Sequence, residues 1–323
     1  MPMRLHDEAY HDPSDWEAVG DLLRVCQGAP PVDRARYPTL WRLRILVMTR
    51  LRDPRRDARL WRDDSGGIIG FAAVFRRPQR EGLCELGYFV RPDYHGTDAT
   101  TAVLIWALAR AREIARESGG FVECWGDASG RQPDDGTALE HVGFVRLEPY
   151  VQYMETALAG PPRGGALPDG YALRTLGNGT DLDAYLALYN AVSSPLDRGH
   201  KEALMRAPEY DPALNMVVVA PDGSPAAFCE ASLGGDTWAD GRRVGWIDHM
   251  GTQPHYQRRG LGEAVLREAL QRLRAAGAAT AALFTSSRNV VAQRLYARLG
   301  FYPSATAALY TLDIAASQQG QRR

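Results

Sequence analysis

The chain has 323 residues, of which 45% are hydrophobic and 24% are charged, and its formal net charge at pH 7 is −1. This length suits two domains of ordinary size, and the composition is that of a protein with buried cores. The near-neutral charge gives no basic surface field of the kind that nucleic acid or an anionic membrane requires, so we expect neither as a partner.

The four cysteines are Cys26, Cys84, Cys124 and Cys229, and they show neither C-x-x-C spacing nor clustered histidines. We therefore expect no disulfide framework and no metal site. The first residues lack the apolar core of a signal peptide, and no segment approaches the length of a membrane span. We expect a cytoplasmic protein.

The first half of the chain alternates helix and strand patterns. Apolar residues at helical spacing predict a helix over residues 11–27, and residues 41–51 fit either a short helix or a strand. A hairpin is predicted at residues 57–62 with 67–76, followed by a strand at 83–90 and a long helix at 101–118. A strand at 121–125, a closing segment at 138–144 and a last strand at 151–156 complete this half.

Residues 158–170 are rich in glycine and proline and are typical of an interdomain linker. The order of elements then repeats. Strands are predicted at residues 171–176, 213–220, 226–233, 244–252, 279–285 and 307–314. Helices are predicted at residues 181–192, 261–276 and 289–299. The polar residues 315–323 are expected to form a disordered tail.

Residues 244–262, VGWIDHMGTQPHYQRRGLG, combine an apolar strand, a basic glycine turn and the start of a helix. In such a turn several backbone N–H groups point at one spot, and the helix N-terminus adds a partial positive charge. Gly260 and Gly262 allow a ligand to approach the backbone, and Arg258 and Arg259 add mobile charge. The segment predicts a pyrophosphate site, although a simple glycine turn with two solvated arginines also fits it.

A second block makes the pattern more specific. The Q-x-x-G-x-G run from Gln257 to Gly262 resembles the acetyl-CoA-binding motif of the GNAT superfamily of N-acetyltransferases. Downstream, NVVAQRLYARLGF at residues 289–301 looks like that family's N-x-x-A-x-x-L-Y-x-x-x-G-F signature. The two motifs stand in the right order and at a plausible separation, which is much more specific than either motif alone.

The resemblance covers nearly the whole chain, as in tandem GNAT proteins, which carry the domain twice. PDYHGTDAT (92–100) aligns with PHYQRRGLG (254–262), and ALEHVGF (138–144) aligns with LYARLGF (295–301). The resemblance implies an α/β fold with mixed sheets in two GNAT-like acyl-CoA N-acyltransferase domains. The predicted division is a degenerate domain, a linker, a catalytic domain and a tail, at residues 1–157, 158–170, 171–314 and 315–323.

The first copy departs from the motif where the cofactor would bind. Asp98 and Thr100 align with Gly260 and Gly262, and a glycine and a threonine replace the two arginines of the turn. A carboxylate at Asp98 would repel a pyrophosphate. We therefore expect the first domain to have lost cofactor binding and the second to be catalytic.

The resemblance implies that acetyl-CoA, the co-substrate, lies where the central strand separates from its neighbour. Backbone groups of that strand would pair with the pantetheine arm, the turn would take the pyrophosphate, and Asn289 would hold the pantetheine. Asn289 also fits the role of a helix N-cap. The residues implied to bind the cofactor are Met250, Gly251, Thr252, Gln257, Arg258, Arg259, Gly260, Leu261, Gly262 and Asn289.

The implied reaction is direct attack of an amine on the thioester carbonyl, for which a base must take a proton from the amine. By the resemblance, Tyr296 would lie close to the thioester sulfur and donate to the leaving thiolate; a core aromatic is the alternative. Asp248 is the candidate base, or equally a carboxylate that binds the cationic amine. Glu230 is the second candidate base, and His249, expected on the opposite face from Asp248, is interpreted as structural.

We therefore predict an N-acetyltransferase that moves acetyl from acetyl-CoA to an amine of a small molecule or peptide. A longer acyl-CoA is an alternative donor, and a non-catalytic acyl-CoA-binding or regulatory module is an alternative class. The expected partners are acetyl-CoA and the amine acceptor, with the chain as a monomer or homodimer. The sequence leaves the identity of the acceptor open.

Overall fold

A computed structural model of the chain describes residues 5–28, 39–76, 83–95, 97–118, 121–127, 133–160, 166–176, 181–193, 195–233 and 242–314. The predicted tail and residues 161–165 of the predicted linker lie outside the described residues. The chain forms two compact units, of which unit 1 is Met1–Gln152 with Ala305–Arg323 and unit 2 is Tyr153–Ser304. Among the described residues, no helix combines the length and the apolar character that spanning a bilayer demands.

In chain order, the helices and strands of the described residues are β1 (His6–Ala9), α1 (Trp16–Gly28), α2 (Leu40–Arg50), α3 (Pro54–Asp57), β2 (Ala58–Arg62), β3 (Ile68–Arg76), β4 (Leu83–Val90), α4 (Asp98–Ser118), β5 (Phe121–Asp127), α5 (Pro133–His141), β6 (Val145–Ala157), β7 (Ala172–Thr175), α6 (Leu182–Val192), α7 (Arg198–Met205), β8 (Asn215–Val219), β9 (Pro225–Ser232), β10 (Val244–Thr252), α8 (Leu261–Ala275), β11 (Thr280–Ser286), α9 (Val290–Arg298) and β12 (Tyr302–Asp313). The pattern at residues 41–51, which fits a helix or a strand, forms the helix α2.

In unit 1 the strands pair in the order β1-β2-β3-β4-β5-β12. Strands β1 to β4 are antiparallel neighbours, β4 and β5 are parallel, and β12 is antiparallel to β5. Alternate residues of β3 enter two separate buried clusters, because successive side chains of a strand point to opposite faces. Phe71 and Phe75 pack with α1 and α2, whereas Ala72 and Val74 pack with α4.

In unit 2 the strands pair in the order β11-β10-β9-β8-β7, with the end of β6 beside β11. Strands β10 and β11 are parallel, and the pairs from β10 to β7 are antiparallel. Along β9, Cys229 and Ala231 join the buried cluster of α8, whereas Phe228 joins Tyr185 and Tyr189 of α6. We call the two sides of this sheet the α8 face and the α6 face.

The sequence pattern missed helix α7. Only Lys201 and Leu204 of its eight residues are buried, which is too few apolar positions to show a helical period. Its start is nevertheless encoded locally, because the Asp197 carboxylate accepts the backbone N–H of His200 at 2.9 Å as an N-cap. The short elements β1 and α3 were missed for the same lack of periodicity.

The compact units differ from the predicted division at two strands. Strand β12 pairs with β5 along Ala307–Asp313, and from Ala305 onwards it belongs to unit 1. Residues 153–157, at the end of β6, belong to unit 2, where the Tyr153 ring packs edge-on against Trp246 and Phe284. Unit 1 therefore includes the last strand of the second repeat, and unit 2 includes the end of the last strand of the first repeat. The division of the chain into functional domains stays a prediction.

Candidate active site

The central strand β10 has an open edge over its second half. Its parallel pairing with β11 runs from Val244 to Ile247, whereas its antiparallel pairing with β9 continues to Thr252. Within the described residues, no strand covers the other side of β10 beyond Ile247. An extended ligand can pair with the exposed N–H and C=O groups of Met250, Gly251 and Thr252 as an added strand would.

A β-bulge interrupts β10 between Ile247 and His249, where the register with β9 shifts. A bulge inserts one residue into the alternation and re-aims the side chains around it. Ile247 lies in the cluster of the α8 face, whereas the His249 ring lies 5.6 Å from the Tyr189 ring on the α6 face. By alternation from Ile247, Trp246 also lies on the α6 face. The bulge thus gives Trp246 and His249 the same face, three positions apart.

Asp248 is the extra residue of this bulge. Burial raises the pKa of the Cys229 thiol, and the nearby Asp248 carboxylate adds to that rise. Cys229 belongs to the α8 face. The Asp248 carboxylate therefore lies within electrostatic range of Cys229, which is the cross-strand partner of Met250.

The turn after β10 holds two residues in left-handed backbone conformations. Arg258 has a φ of 62°, and Gly260 has a φ of 79° with a ψ of 0°. Glycine adopts this conformation without steric cost, whereas Arg258 is strained by about 1–2 kcal/mol. Such strain concentrates at ligand sites, and alternating left-handed residues turn successive N–H groups into one anion-binding concavity.

Helix α8 begins at this turn without a side-chain cap. Its N-cap is Gly260, so no side chain accepts the first N–H groups of the helix, which lack partners within the helix itself. A Cβ on Gly260 would meet nothing within 4 Å, whereas one on Gly262 would lie 3.2 Å from Thr252 Oγ1. Leu261 is 1% exposed and anchors the helix start in the core. Open space, unpaired N–H groups and the helix dipole together suit an anion.

Two side chains brace the turn and one is left available. The Gln257 amide donates to the Thr252 carbonyl oxygen at 3.3 Å, and the Arg259 guanidinium donates to the Tyr171 hydroxyl at 2.9 Å. Arg258 makes no hydrogen bond or ion pair with any described residue. Its guanidinium is therefore open to a ligand, at the position where the backbone is strained.

Asn289 is the N-cap of α9. Its Oδ1 accepts the backbone N–H of Ala292 at 3.2 Å, so the capping role that its position suggested is present. The cap fixes where α9 begins and hence where the rest of its residues lie along the sheet. One oxygen of the side chain is occupied in this way, while its amide nitrogen has no partner among the described residues.

Tyr296 lies two turns further along α9. It is 8% exposed and its ring centroid is 5.9 Å from that of Phe301. Burial, with a smaller contribution from Cys229, raises the pKa of the phenol to about 12, and no described residue bonds to the hydroxyl. Because Cys229 is the cross-strand partner of Met250, the phenol lies near the open stretch of β10.

Glu230 is the centre of a buried cluster on the α6 face. Its carboxylate accepts from the Lys201 ammonium and the Tyr185 hydroxyl, and His249 Nδ1 lies 3.6 Å from Oε2. Burial alone would raise the pKa of Glu230, but Lys201 and His249 outweigh it and the pKa is lowered. A carboxylate stabilised in its charged form is a weak base. The geometry therefore argues against Glu230 as the base.

The comparisons with known proteins agree with this geometry. The model of the acetyltransferase (GNAT) family matches residues 185–301. The mycothiol acetyltransferase of Acidimicrobium ferrooxidans is 30% identical over 247 residues, which are 74% of this chain and 76% of that protein. The chain belongs to the GNAT family. A second mycothiol acetyltransferase, from Pseudarthrobacter chlorophenolicus, is 29% identical over 240 residues, 72% of this chain and 71% of that one.

A solved structure extends the GNAT fold over the whole length. A tandem GNAT protein from the clavulanic acid biosynthesis pathway superposes with a TM-score of 0.66 at 17% identity, covering 96% of this chain and 99% of that one. The predicted fold class and the tandem resemblance are confirmed. As a GNAT enzyme the protein transfers acetyl from acetyl-CoA to an amine, so the predicted activity is also confirmed and the non-catalytic alternative is set aside.

Unit 1 shows which GNAT features its copy keeps. Strand β4 is paired with β5 only to Leu86 while its pairing with β3 continues, so the opening beside the central strand remains. The turn differs, because the Thr97 hydroxyl accepts the N–H of Ala99 at 3.2 Å at the start of α4. A side chain thus occupies an N–H group of the kind that Gly260 leaves open, and Asp98 adds a negative charge beside it.

Sequence reasoning missed Lys201 and Tyr185 as parts of the site region. Lys201 lies on the unpredicted helix α7. The scarcity of lysine in the chain is most simply interpreted as a coding bias towards arginine. One signal was present: Lys201 is the only lysine among the 38 lysine and arginine residues of the chain. Lysine ends in a compact ammonium and arginine in a planar guanidinium, so the two are not interchangeable in a buried ion pair.

Proposed function

We propose that unit 2 binds acetyl-CoA and carries out the transfer. The observation that supports this most directly is the open edge of β10 leading straight into the uncapped turn at Gly260. Pantetheine would pair with the backbone from Met250 to Thr252, and the pyrophosphate would accept N–H groups from Gly260 to Gly262. Arg258 would add a charge-assisted contact, and the amide nitrogen of Asn289 would face the pantetheine.

Tyr296 is proposed to protonate the leaving thiolate. Its pKa of about 12 keeps the phenol protonated at neutral pH, so it is a donor and carries no negative charge that would oppose the thiolate. The hydroxyl has no described partner that would compete with the sulfur. A positioned acid of this kind contributes about 10²–10⁴-fold to a rate.

Asp248 is proposed as the base that takes the proton lost during attack. It stands two residues before Met250, at the bulge where β10 opens. In this proposal its carboxylate takes the proton of an amine that attacks a thioester held on that edge. Glu230 is already committed to Lys201 and Tyr185. Of the two candidate bases, only Asp248 belongs to the strand that would hold the thioester.

The acceptor is proposed to be a mycothiol-related amine. Two relatives that align with this chain over more than two thirds of their own length are mycothiol acetyltransferases, which supports this class. Acetyl is the proposed acyl group for the same reason. The proposal fails if the acceptor screen favours a peptide amine or the donor screen favours a longer acyl-CoA.

The cofactor location is tested by titration calorimetry with CoA. The wild-type chain should bind one CoA, and Gly260→Asp, which copies Asp98 of unit 1, should bind none. Asp98→Gly is the matched control in unit 1 and should leave the stoichiometry at one. Two equivalent sites, or a site that survives Gly260→Asp, would place the cofactor elsewhere.

The acceptor is tested separately by mass spectrometry of reactions with acetyl-CoA. Desacetylmycothiol should gain one acetyl group, and a peptide amine should not. Butyryl-CoA in place of acetyl-CoA tests the donor. Acetylation of the peptide but not of desacetylmycothiol would reject the acceptor class and leave the cofactor site standing.

A further inference from the structure

Lys201 and Glu230 form an ion pair inside unit 2. Their side chains are 2% and 9% exposed, and the Lys201 ammonium also lies 5.4 Å from the Tyr185 ring and 5.8 Å from the Tyr210 ring. Burying two charges costs as much free energy as their attraction returns, and apolar replacements are often neutral or stabilising. The stability of the fold alone therefore does not explain the pair.

The pair leads to His249. The Nδ1 atom of His249 lies 3.6 Å from Glu230 Oε2, and the ring lies against Tyr189. The His249 side chain is 33% exposed, in contrast to the groups behind it. With Nδ1 directed at Glu230, Nε2 is left as the nitrogen that faces outwards. His249 immediately precedes Met250, on which the thioester would lie.

Proton counting shows that the reaction needs more than one acceptor. An amine arrives at neutral pH mostly as an ammonium ion, since the pKa of an α-amino group is about 8 and that of an alkylamine is about 10. It loses one proton to become a nucleophile and a second as the amide forms. The thiolate takes up only one proton, so one must be released to solvent in each turnover. Asp248 provides for one of the two.

We propose that His249 takes the first proton from the acceptor ammonium and that Glu230 and Lys201 position it for that task. The proposal rests on the proposed function of unit 2. The first proton passes from the ammonium to His249 Nε2, stays there while the C–N bond forms, and is released to water after the products leave. The neutral amine next forms the C–N bond with the thioester carbonyl carbon while Asp248 takes the second proton. The C–S bond breaks with its electron pair on sulfur, Tyr296 protonates the thiolate, and the proton on Asp248 restores the phenol.

The surroundings of His249 suit this role. Among the described residues, Glu230 from β9 and Tyr189 from α6 lie against the ring. Tyr185 from α6 and Lys201 from α7 stand behind Glu230, and Asp248 is the neighbour of His249 on its own strand. Lys201 keeps Glu230 ionised, and an ionised carboxylate can only accept a hydrogen bond. His249 Nδ1 lies 3.6 Å from Oε2 and makes no hydrogen bond there, so the proposal has the ring close this short gap. The proton of a neutral imidazole would then be held on Nδ1, and Nε2 would be left as the base. The Glu230 carboxylate also lies beside the imidazolium that forms once Nε2 is protonated.

The kinetic test is the pH profile of kcat/KM for His249→Gln, with desacetylmycothiol or, if that is not acetylated, with the best amine of the acceptor screen. Without His249 the enzyme must capture the small fraction of free amine. For an acceptor with a pKa of about 8, we expect a deficit of about tenfold at pH 7 that grows as the pH falls and vanishes above about pH 9. A deficit that is absent, or the same at every pH, would mean that His249 only packs against Tyr189.

Two controls separate the proposed role of His249 from the proposed location of the acetyl-CoA site in unit 2. Asp248→Asn should lower turnover at every pH, because the second proton must be removed whatever the state of the amine. The affinity of His249→Gln for CoA should equal that of the wild type. If Gly260→Asp left CoA binding and turnover intact, the location of the site in unit 2 would fail, whatever the profile of His249→Gln.

A spectroscopic test needs no acceptor. In ¹⁵N-histidine-labelled protein at pH 8, the signal that disappears in His249→Gln identifies the ring. We expect the Nδ1–H tautomer in the wild type and a mixture of tautomers in Glu230→Gln. Lys201→Arg keeps the charge that holds Glu230 ionised, so we expect it to retain the Nδ1–H tautomer. A wild-type ring with its proton on Nε2 has no base directed outwards and would overturn the proposal.

Discussion

Gly251 on β10 and Val192 on α6 lie so close together that a Cβ on Gly251 would be 2.3 Å from Val192 Cγ2. Helix α6 therefore rests on the backbone of the open stretch of β10. Gly260, in the turn beyond, has the opposite character, because a Cβ there would meet nothing within 4 Å while its φ is 79°. The two glycines of the proposed cofactor site are thus required for different physical reasons, close packing at one and backbone conformation at the other.

Gly251→Ala should destabilise the protein by about 1–3 kcal/mol, because the added methyl group overpacks the contact with α6. Val192→Ala removes the nearest group that the methyl meets, so Gly251→Ala should cost less in Val192→Ala than in the wild type. Urea unfolding followed by circular dichroism measures both. Gly260→Ala is the matched control, since its cost of about 1 kcal/mol comes from φ and Val192→Ala should not relieve it. An equal cost of Gly251→Ala in the two backgrounds would contradict the contact.

Tyr296→Phe should lower kcat by about 100-fold while the affinity for CoA stays unchanged. The free energy of unfolding should change little, because no described residue bonds to the hydroxyl. The pKa of about 12 predicts that the wild-type rate shows no loss from ionisation of this phenol up to pH 10, where an unshifted tyrosine would be half ionised. Stopped assays from pH 7 to 10 check both statements, and an equal kcat in Tyr296→Phe would assign the thiolate's proton to water.

Much of the fold was predictable because elements with one buried face show a periodic pattern of apolar residues in the sequence. The bounds of β10 at Val244–Thr252 match the predicted strand, and α8 begins at the predicted Leu261. The bulge at Asp248 was not predictable, since it arises from pairing with β9 and leaves no local mark. Helix α7 was not predicted, because one of its two buried residues, Lys201, is polar and gives no apolar signal. The pairing of β12 with β5 is a long-range choice, and a local pattern does not encode the partner of a strand.

Lys201→Met should destabilise the protein by about 3–5 kcal/mol at pH 7, because it leaves the Glu230 carboxylate buried without its cation. In the wild type the pKa of Glu230 is lowered, so the pair contributes stability above the pKa of an unfolded glutamate, about 4.3, and loses it as the pH falls. In the variant, burial without the cation raises that pKa, so the sign reverses. The deficit should shrink between pH 8 and pH 5.

Scanning calorimetry across that range measures the effect. The double variant Lys201→Met with Glu230→Gln is the control, because it removes the unpaired charge as well as the cation. It should regain most of the lost melting temperature at pH 8 and show little dependence on pH. A deficit in Lys201→Met that is equal at pH 5 and pH 8 would trace the loss to packing around Tyr185 and Tyr210 instead of charge.

Arg258 carries both strain and charge, and two substitutions separate them. Arg258→Gly and Arg258→Ala lose the same guanidinium, but only glycine relieves the left-handed φ of 62°. Arg258→Gly should therefore be more stable than Arg258→Ala by about 1 kcal/mol in urea unfolding. Both should bind CoA about tenfold more weakly at low salt, because each loses one charge-assisted contact to the pyrophosphate. The loss should diminish at high salt, where an exposed guanidinium is screened. Wild-type affinity in Arg258→Gly would show that the strained residue serves the shape of the turn alone, and that its charge has no part in holding the cofactor.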